Sequence, residues 1–185
     1  MIRSSATKIL AHSLLLVSLL LVSLMLTVLL GLGVFNTPDA VAEIRKLEEA
    51  PGQIVYQSRE TLTDQHGNSW QAIAFKRVSP NERTSIELRL VGFPGAIEID
   101  RIKPLLLTNS MGESMTADDN SSIIFTDLSA PEPNVGEYDI HLLLPNLQPA
   151  IPLKLTLPVI NGEAINLPVP TSFVQDWKTL LYKGK

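Results

Sequence analysis

The chain has 185 residues, no cysteine and a formal net charge of −4, which excludes a disulfide framework, a thiol nucleophile and a cysteine-based zinc site. Charges of both signs are scattered without a basic stripe, so nucleic-acid binding and electrostatic attachment to anionic lipid are disfavoured. The length suits one ordinary domain with a core of its own behind a leader.

Arg3 and Lys8 precede an uncharged, leucine-rich run from Ile9 to Phe35, followed by Asn36-Thr37-Pro38 and the small-residue triplet Ala40-Val41-Ala42. A basic start, an apolar stretch and an A-x-A site in that order define an export signal over residues 1–42, with cleavage expected after Ala42. The run is also long enough for a transmembrane helix, so an anchor at residues 9–35 is the alternative. Positive charge ahead of the segment puts the rest of the chain outside the cytoplasm under either reading. Removing the leader takes away Arg3, Lys8 and Asp39, leaving 13 basic residues against 18 acidic ones and a net charge of −5.

Residues 43–50, EIRKLEEA, are charged helix formers stopped by Pro51-Gly52, and predict a short helix or tether over 43–52. From Gln53 the apolar period becomes two. Ile54 to Thr63 and Ser69 to Val78 flank Gln65-His66-Gly67-Asn68 and predict a hairpin. Ser79-Pro80-Asn81-Glu82 reads as a turn. Ile86, Leu88 and Leu90 alternate with Glu87 and Arg89 as a half-buried strand. Phe93-Pro94-Gly95 turns the chain, and Ile97 and Ile99 alternate with Glu98 and Asp100. Pro104 to Thr108 reads as a buried strand, Asn109 to Ser122 as mostly loop, and Ile123 to Phe125 as a short strand. Ala130 to Asn134 is a rigid connection. Tyr138, Ile140, Leu142 and Leu144 predict one strand face, with Asp139 and His141 on the other. Leu153, Leu155 and Leu157 pair through Asn161-Gly162 with Ile165, Leu167 and Val169, and Asn-Gly predicts a type I′ turn. Eight of the thirteen prolines lie from Pro131 onward, which makes these strands short, edge-like or bulged. Over 172–182, Ser172 and Gln175 match a capping box, and Phe173, Val174, Trp177, Leu180 and Leu181 share one face of an amphipathic helix.

The fold class is mainly β: an antiparallel β-sandwich of immunoglobulin-like size over 53–185, closed by a C-terminal amphipathic helix, with a partly open barrel as the alternative. That helix packs on an exposed sheet face or docks on a membrane or partner, and packing is the preferred reading.

No catalytic, cofactor-binding or metal-binding residue is assigned. His66 in a hairpin loop and His141 on an outward strand face have no G-x-S-x-G elbow to serve. Glu113, Asp118, Asp119 and Asp127, with Asn120, supply oxygens of the kind calcium takes, but the loop pattern of a calcium site is absent. Trp70 suits cross-strand packing better than a sugar platform. Asn120-Ser121-Ser122 matches a glycosylation sequon, relevant only in a glycosylating host.

The IVYQSRETLTDQHGNSWQAIAF hairpin, the VGEYDIHLLLPNLQPAIPLKLTLP block and the closing LPVPTSFVQDW together resemble a family of exported cyanobacterial proteins known only as a domain of unknown function. The resemblance covers most of the chain beyond the leader and implies the periplasm or thylakoid lumen, near photosynthetic or envelope membrane complexes. It brings no catalytic residues with it. The expected function is a non-enzymatic binding or interaction module that presents a strand edge, loop or Pro-rich surface to another exported or membrane protein. The alternatives are an exported hydrolase with an unrecognised site and a binder of carbohydrate or another envelope ligand.

Overall fold

A computed structural model describes residues 3–33, 44–78, 84–125 and 131–184. The cleavage triplet at 40–42, Pro38, the turn at 79–82, Asp127 and Ala130 lie outside the described residues. The chain divides into two units, residues 1–41 and 42–185.

In the first unit, helix α1 spans Arg3–Gly33. Its described leucines, valines and methionine between residues 14 and 28 are all exposed. Two hydroxyls in the same stretch turn back on the helix itself, Ser18 Oγ donating to the Leu15 carbonyl and Thr27 Oγ1 to that of Ser23. The helix is apolar on every side and carries no polar stripe. Among the described residues no helix is long and apolar enough to cross a membrane.

The second unit is mainly β, with two antiparallel sheets and a C-terminal helix, an arrangement that fits a sandwich. The first sheet has the order β1-β2-β3-β4-β7 and comprises Arg45–Ala50, Gln53–Thr63, Ser69–Val78, Ser85–Val91 and Val135–Asp139. The second has the order β6-β5-β8-β9 and comprises Ser114–Ala117, Leu105–Asn109, Leu153–Leu157 and Ile165–Val169. Helix α2 spans Thr171–Leu180.

The predicted central hairpin forms, from Ile54 opposite Val78 to Thr63 opposite Ser69. Its turn is organised by Asp64, whose Oδ1 accepts the amides of His66 and Asn68 while Oδ2 accepts the indole N–H of Trp70 at 3.0 Å. Burial alone would raise the Asp64 carboxyl, but these donors outweigh it and hold the group below its usual value.

Several expectations fail for identifiable reasons. Within the segment 43–50, Arg45–Ala50 is a strand instead of a helix. Arg45 to Ala50 pair with Gln57 to Gln53 along an exposed edge, so ladder formation overrides local propensity. Pro51-Gly52 is then a two-residue hairpin turn, with the φ of +78° at Gly52 that a type II turn requires. The 109–122 region contains β6, because Asn109 Oδ1 accepts the amides of Met111 and Glu113 and folds a tight hairpin. Residues 121–123 form a 3-10 turn where a strand was expected to begin, with the Ser121 amide held by Asp119. Around Ile97 and Ile99 only an isolated bridge forms, Ile99 to Val159. Strand β7 stops at Asp139, whose carboxylate accepts the His141 amide, and the Leu143 and Leu144 amides turn back to the Ile140 carbonyl. Ile140 and Leu144 stay buried one turn apart, while Leu142 is 81% exposed. Asn161 has no positive φ, so the β8–β9 connection is a longer loop and not a type I′ turn. Helix α2 begins at Thr171 behind Pro170, and no side-chain cap forms at Ser172.

The main core lies between the sheets. Leu62, Ala74, Leu88, Leu90 and Tyr138 of the first sheet belong to the same buried cluster as Leu107, Leu155, Leu157 and Leu167 of the second. Helix α2 adds Val174, Trp177 and Leu180. Beneath the helix two polar side chains of β2 are buried: Ser58 donates to Glu60 Oε1, and Trp177 Nε1 donates to Glu60 Oε2 at 3.1 Å. Lys178 Nζ donates to the carbonyls of Pro145 and Leu147, and Lys76 Nζ to those of Leu181 and Lys183.

Trp70 also fixes the crossing out of β4, since a Cβ on Gly92 would lie 2.8 Å from Trp70 Cη2. Gly92→Ala is expected to lower unfolding free energy by roughly 1–3 kcal/mol, the range for overpacking a filled site. Urea denaturation checks this, and an unchanged midpoint would show that the indole is free to move.

Candidate functional site

The residues singled out in the sequence do not converge. His66 sits in the β2–β3 turn, and His141 in the turn after β7. Gln71, just past the first turn, lies opposite Val91, whereas Asp139 lies opposite Glu87 near the other end of β4. The two histidines therefore occupy opposite ends of the first sheet. Glu113 belongs to the β5–β6 turn, where its carboxylate accepts Asn109 Nδ2 at 2.7 Å. Asp118 and Asp119 follow β6. Among the described residues no group of three acidic or histidine side chains is placed to hold a metal ion. Trp70 is buried and hydrogen-bonded to Asp64, which removes it as a sugar platform. Asn120 of the sequon is half-buried, with Nδ2 toward Glu87 Oε1 at 3.4 Å.

Sequence reasoning placed Glu87 and Arg89 on a solvated face, and the structure corrects this. Glu87 and Glu137 are buried on the outer face of the first sheet. Arg89 pairs with Glu137 Oε2 at 2.6 Å. Glu137 Oε1 and Glu87 Oε2 have no hydrogen-bond partner among the described residues. Burial pushes Glu87 above its usual value, and the neighbouring Asp139 and Glu137 add to the shift. Burial also raises Glu137, opposed by Arg89. Phe75 stands between the guanidinium groups of Arg77 and Arg89, 5.0 and 5.2 Å from its ring centre. An alternating pattern fits a strand with one wet face, and no sequence signal marks this second face as covered.

A cleft of about 410 Å³ opens between the β5–β6 hairpin, the 146–151 segment and α2. Leu147, Leu153 and Val174 form a buried floor, Met115 and Ile151 are half-buried walls, and Glu113, Asn146 and Gln148 stand exposed at the rim. Pro145 lies in a 3-10 turn over Leu144–Asn146, and Pro149 and Pro152 sit in the irregular stretch that leads to β8. The cleft lies within the size range of ligand sites and combines an apolar floor with a few polar groups. Its arrangement suits binding. No nucleophile–base pair faces it.

These features define a β-rich domain with a binding-type recess. The chain belongs to the family described as "Protein of unknown function (DUF3122)", which matches residues 42–180. No curated protein and no solved structure matches it.

The buried carboxyls make stability depend on pH. Glu60, Glu87 and Glu137 are all raised, chiefly by burial. A raised carboxyl binds its proton more tightly in the folded state. Its contribution is therefore complete below the unfolded carboxyl range and is lost as pH rises through the folded value. Glu87→Gln is expected to add on the order of 1 kcal/mol near neutral pH by removing a buried, incompletely paired charge, and to flatten the loss of stability as pH rises past the unfolded carboxyl range. Urea unfolding over a pH series from below that range to neutrality tests this, and an identical pH slope in the variant would contradict it.

Proposed function

We propose that the domain is an exported, non-enzymatic binding module that holds a segment of another exported or membrane protein in the cleft beside α2. The observation that carries the reading is the pairing of the apolar floor with exposed amides at Asn146 and Gln148, whose side chains make no hydrogen bond among the described residues. A primary amide offers one donor pair and one acceptor, which matches the alternating groups of an extended main chain. The strand edges are poorer candidates. Strand β1 is charged, β6 has only 4 residues, β9 carries Pro168, and β7 is flanked by residues 118–120. Export follows from the order of charge, apolar run and small residues in the leader, with the periplasm or thylakoid lumen as the compartment. The hydrolase alternative has no comparable support, because His66 and His141 stand apart from each other and from the cleft.

A photo-crosslinking residue at Gln148 of the full-length protein is expected to capture a defined protein from membranes of the source cell. The same probe at Leu142 should not capture it, and Met115→Trp, which fills the cleft, should abolish it. Capture that survives Met115→Trp, or that occurs equally from position 142, would overturn the assignment to this cleft.

A further inference from the structure

Strand β1 is an edge of the first sheet, paired with β2 on one side and with no described strand on the other. All of its side chains are exposed, and Leu47 is a large apolar one at 43%. Its charges run in a fixed order: Arg45 and Lys46, then Leu47, then Glu48 and Glu49. Arg45 and Lys46 form no ion pair among the described residues. Glu49 Oε2 lies 3.4 Å from Arg77 Nε, and Glu48 Oε1 accepts the Gly52 amide at 3.3 Å. Each acid engages one oxygen in this way, and a carboxylate accepts at both.

We propose that β1 pairs antiparallel with β1 of a second copy of this chain, about a two-fold axis at Leu47. In that register Leu47 stands opposite its own symmetry mate, Lys46 opposite Glu48 and Arg45 opposite Glu49, each ion pair occurring twice by symmetry. Charge fixes the register. A slip of two residues either way sets Lys46 against Lys46 or Glu48 against Glu48, and a slip of one sets unlike faces against each other. No other described edge has this property: β6 and β9 carry no charged residue, and β7 carries only the acids Glu137 and Asp139. The charges that discourage an uncharged segment from adding to β1 are the ones a second copy matches. The apolar residue fits as well. Leu47 lies opposite Val55, which belongs to a small buried cluster with Ile73 and Phe75. Pairing covers the exposed Leu47 and runs Val55 and Leu47 of both copies into one apolar row. The register shift between Glu48 and Ala50 ends the ladder there. So short a contact falls below the roughly 800 Å² per partner of a stable interface, and the dimer is therefore reversible.

The chain has no cysteine, so a single introduced thiol reports on one position. Leu47→Cys in the full chain is treated with a short bismaleimide, with Leu142→Cys, 81% exposed, as the control. Directly opposite residues of paired strands lie about 4.5–5.5 Å apart at Cβ, so the 47 variant is expected to cross-link into a dimer in a concentration-dependent manner and the 142 variant is not. Adding Lys46→Glu or Glu48→Lys to Leu47→Cys turns two attractive pairs into repulsive ones, and each change alone is expected to slow cross-linking on the order of tenfold. Mixing the two charge-reversed chains is expected to restore it, because the changed residues then meet with opposite charge. That rescue separates pairing between chains from any effect of either change on folding. Equal cross-linking at 47 and 142 would overturn the proposal. So would cross-linking at 47 that the charge reversals leave unchanged or that mixing does not restore. The Gln148 crosslink makes no use of β1, so the two readings fail separately.

Discussion

The indole N–H of Trp177 meets Glu60 beneath the C-terminal helix, and much of the domain's geometry follows from that contact. Glu60 is an acid in the interior of a β-sheet protein, an expensive placement unless its oxygens are satisfied. Ser58 answers one oxygen and Trp177 the other, so the helix sits where it completes the group's hydrogen bonds. Val174 and Leu180 then reach the buried cluster. Lysines 76 and 178 grip main-chain carbonyls on either side. Val174 is also part of the cleft floor, so the same clasp that closes the core sets one wall of the recess.

The two ends of the domain differ in character. At one, α2, the proline-rich 145–152 stretch and the β5–β6 hairpin frame a cleft with polar groups at its rim. At the other, hydrogen-bonded loops hold apolar tips in solvent. The first sheet between them has an unusual outer face, where Glu87 and Glu137 share space with Arg89 and Phe75. Burial holds both carboxyls above their usual value there, opposed at Glu137 by Arg89.

Most of the sheet framework is legible in the sequence because its strands have one buried face. Leu153, Leu155 and Leu157, like Ile86, Leu88 and Leu90, announce themselves by alternation. The failures share a cause: local patterns were overruled by hydrogen bonds to distant or unexpected partners. EIRKLEEA has the composition of a helix, but the free edge of β2 takes it as a strand. Leu142 keeps step with Tyr138 and Ile140 in sequence, yet the Asp139 side chain and the Ile140 carbonyl turn the chain before it. Ser172 and Gln175 have the spacing of a cap, but Pro170 starts the helix earlier. The cleft had no signature at all. Its residues come from three separate stretches; Leu153 and Val174 read only as core positions, and Glu113 alone as a candidate ligand, for calcium. Glu60 and Glu87 are invisible for a related reason, since an acidic residue in an alternating strand reads as solvated until its neighbours are known.

The account rests on the claim that the Glu60–Trp177 contact, and not apolar area alone, positions α2. A double-mutant cycle with Glu60→Met and Trp177→Phe, followed by urea denaturation, measures that contact directly. The account predicts a coupling energy of about 1–3 kcal/mol, with each single variant leaving a buried polar group unmatched and the double variant recovering part of the loss. Effects that add to within about 0.5 kcal/mol would contradict it and would reduce Trp177 to a bulky core residue.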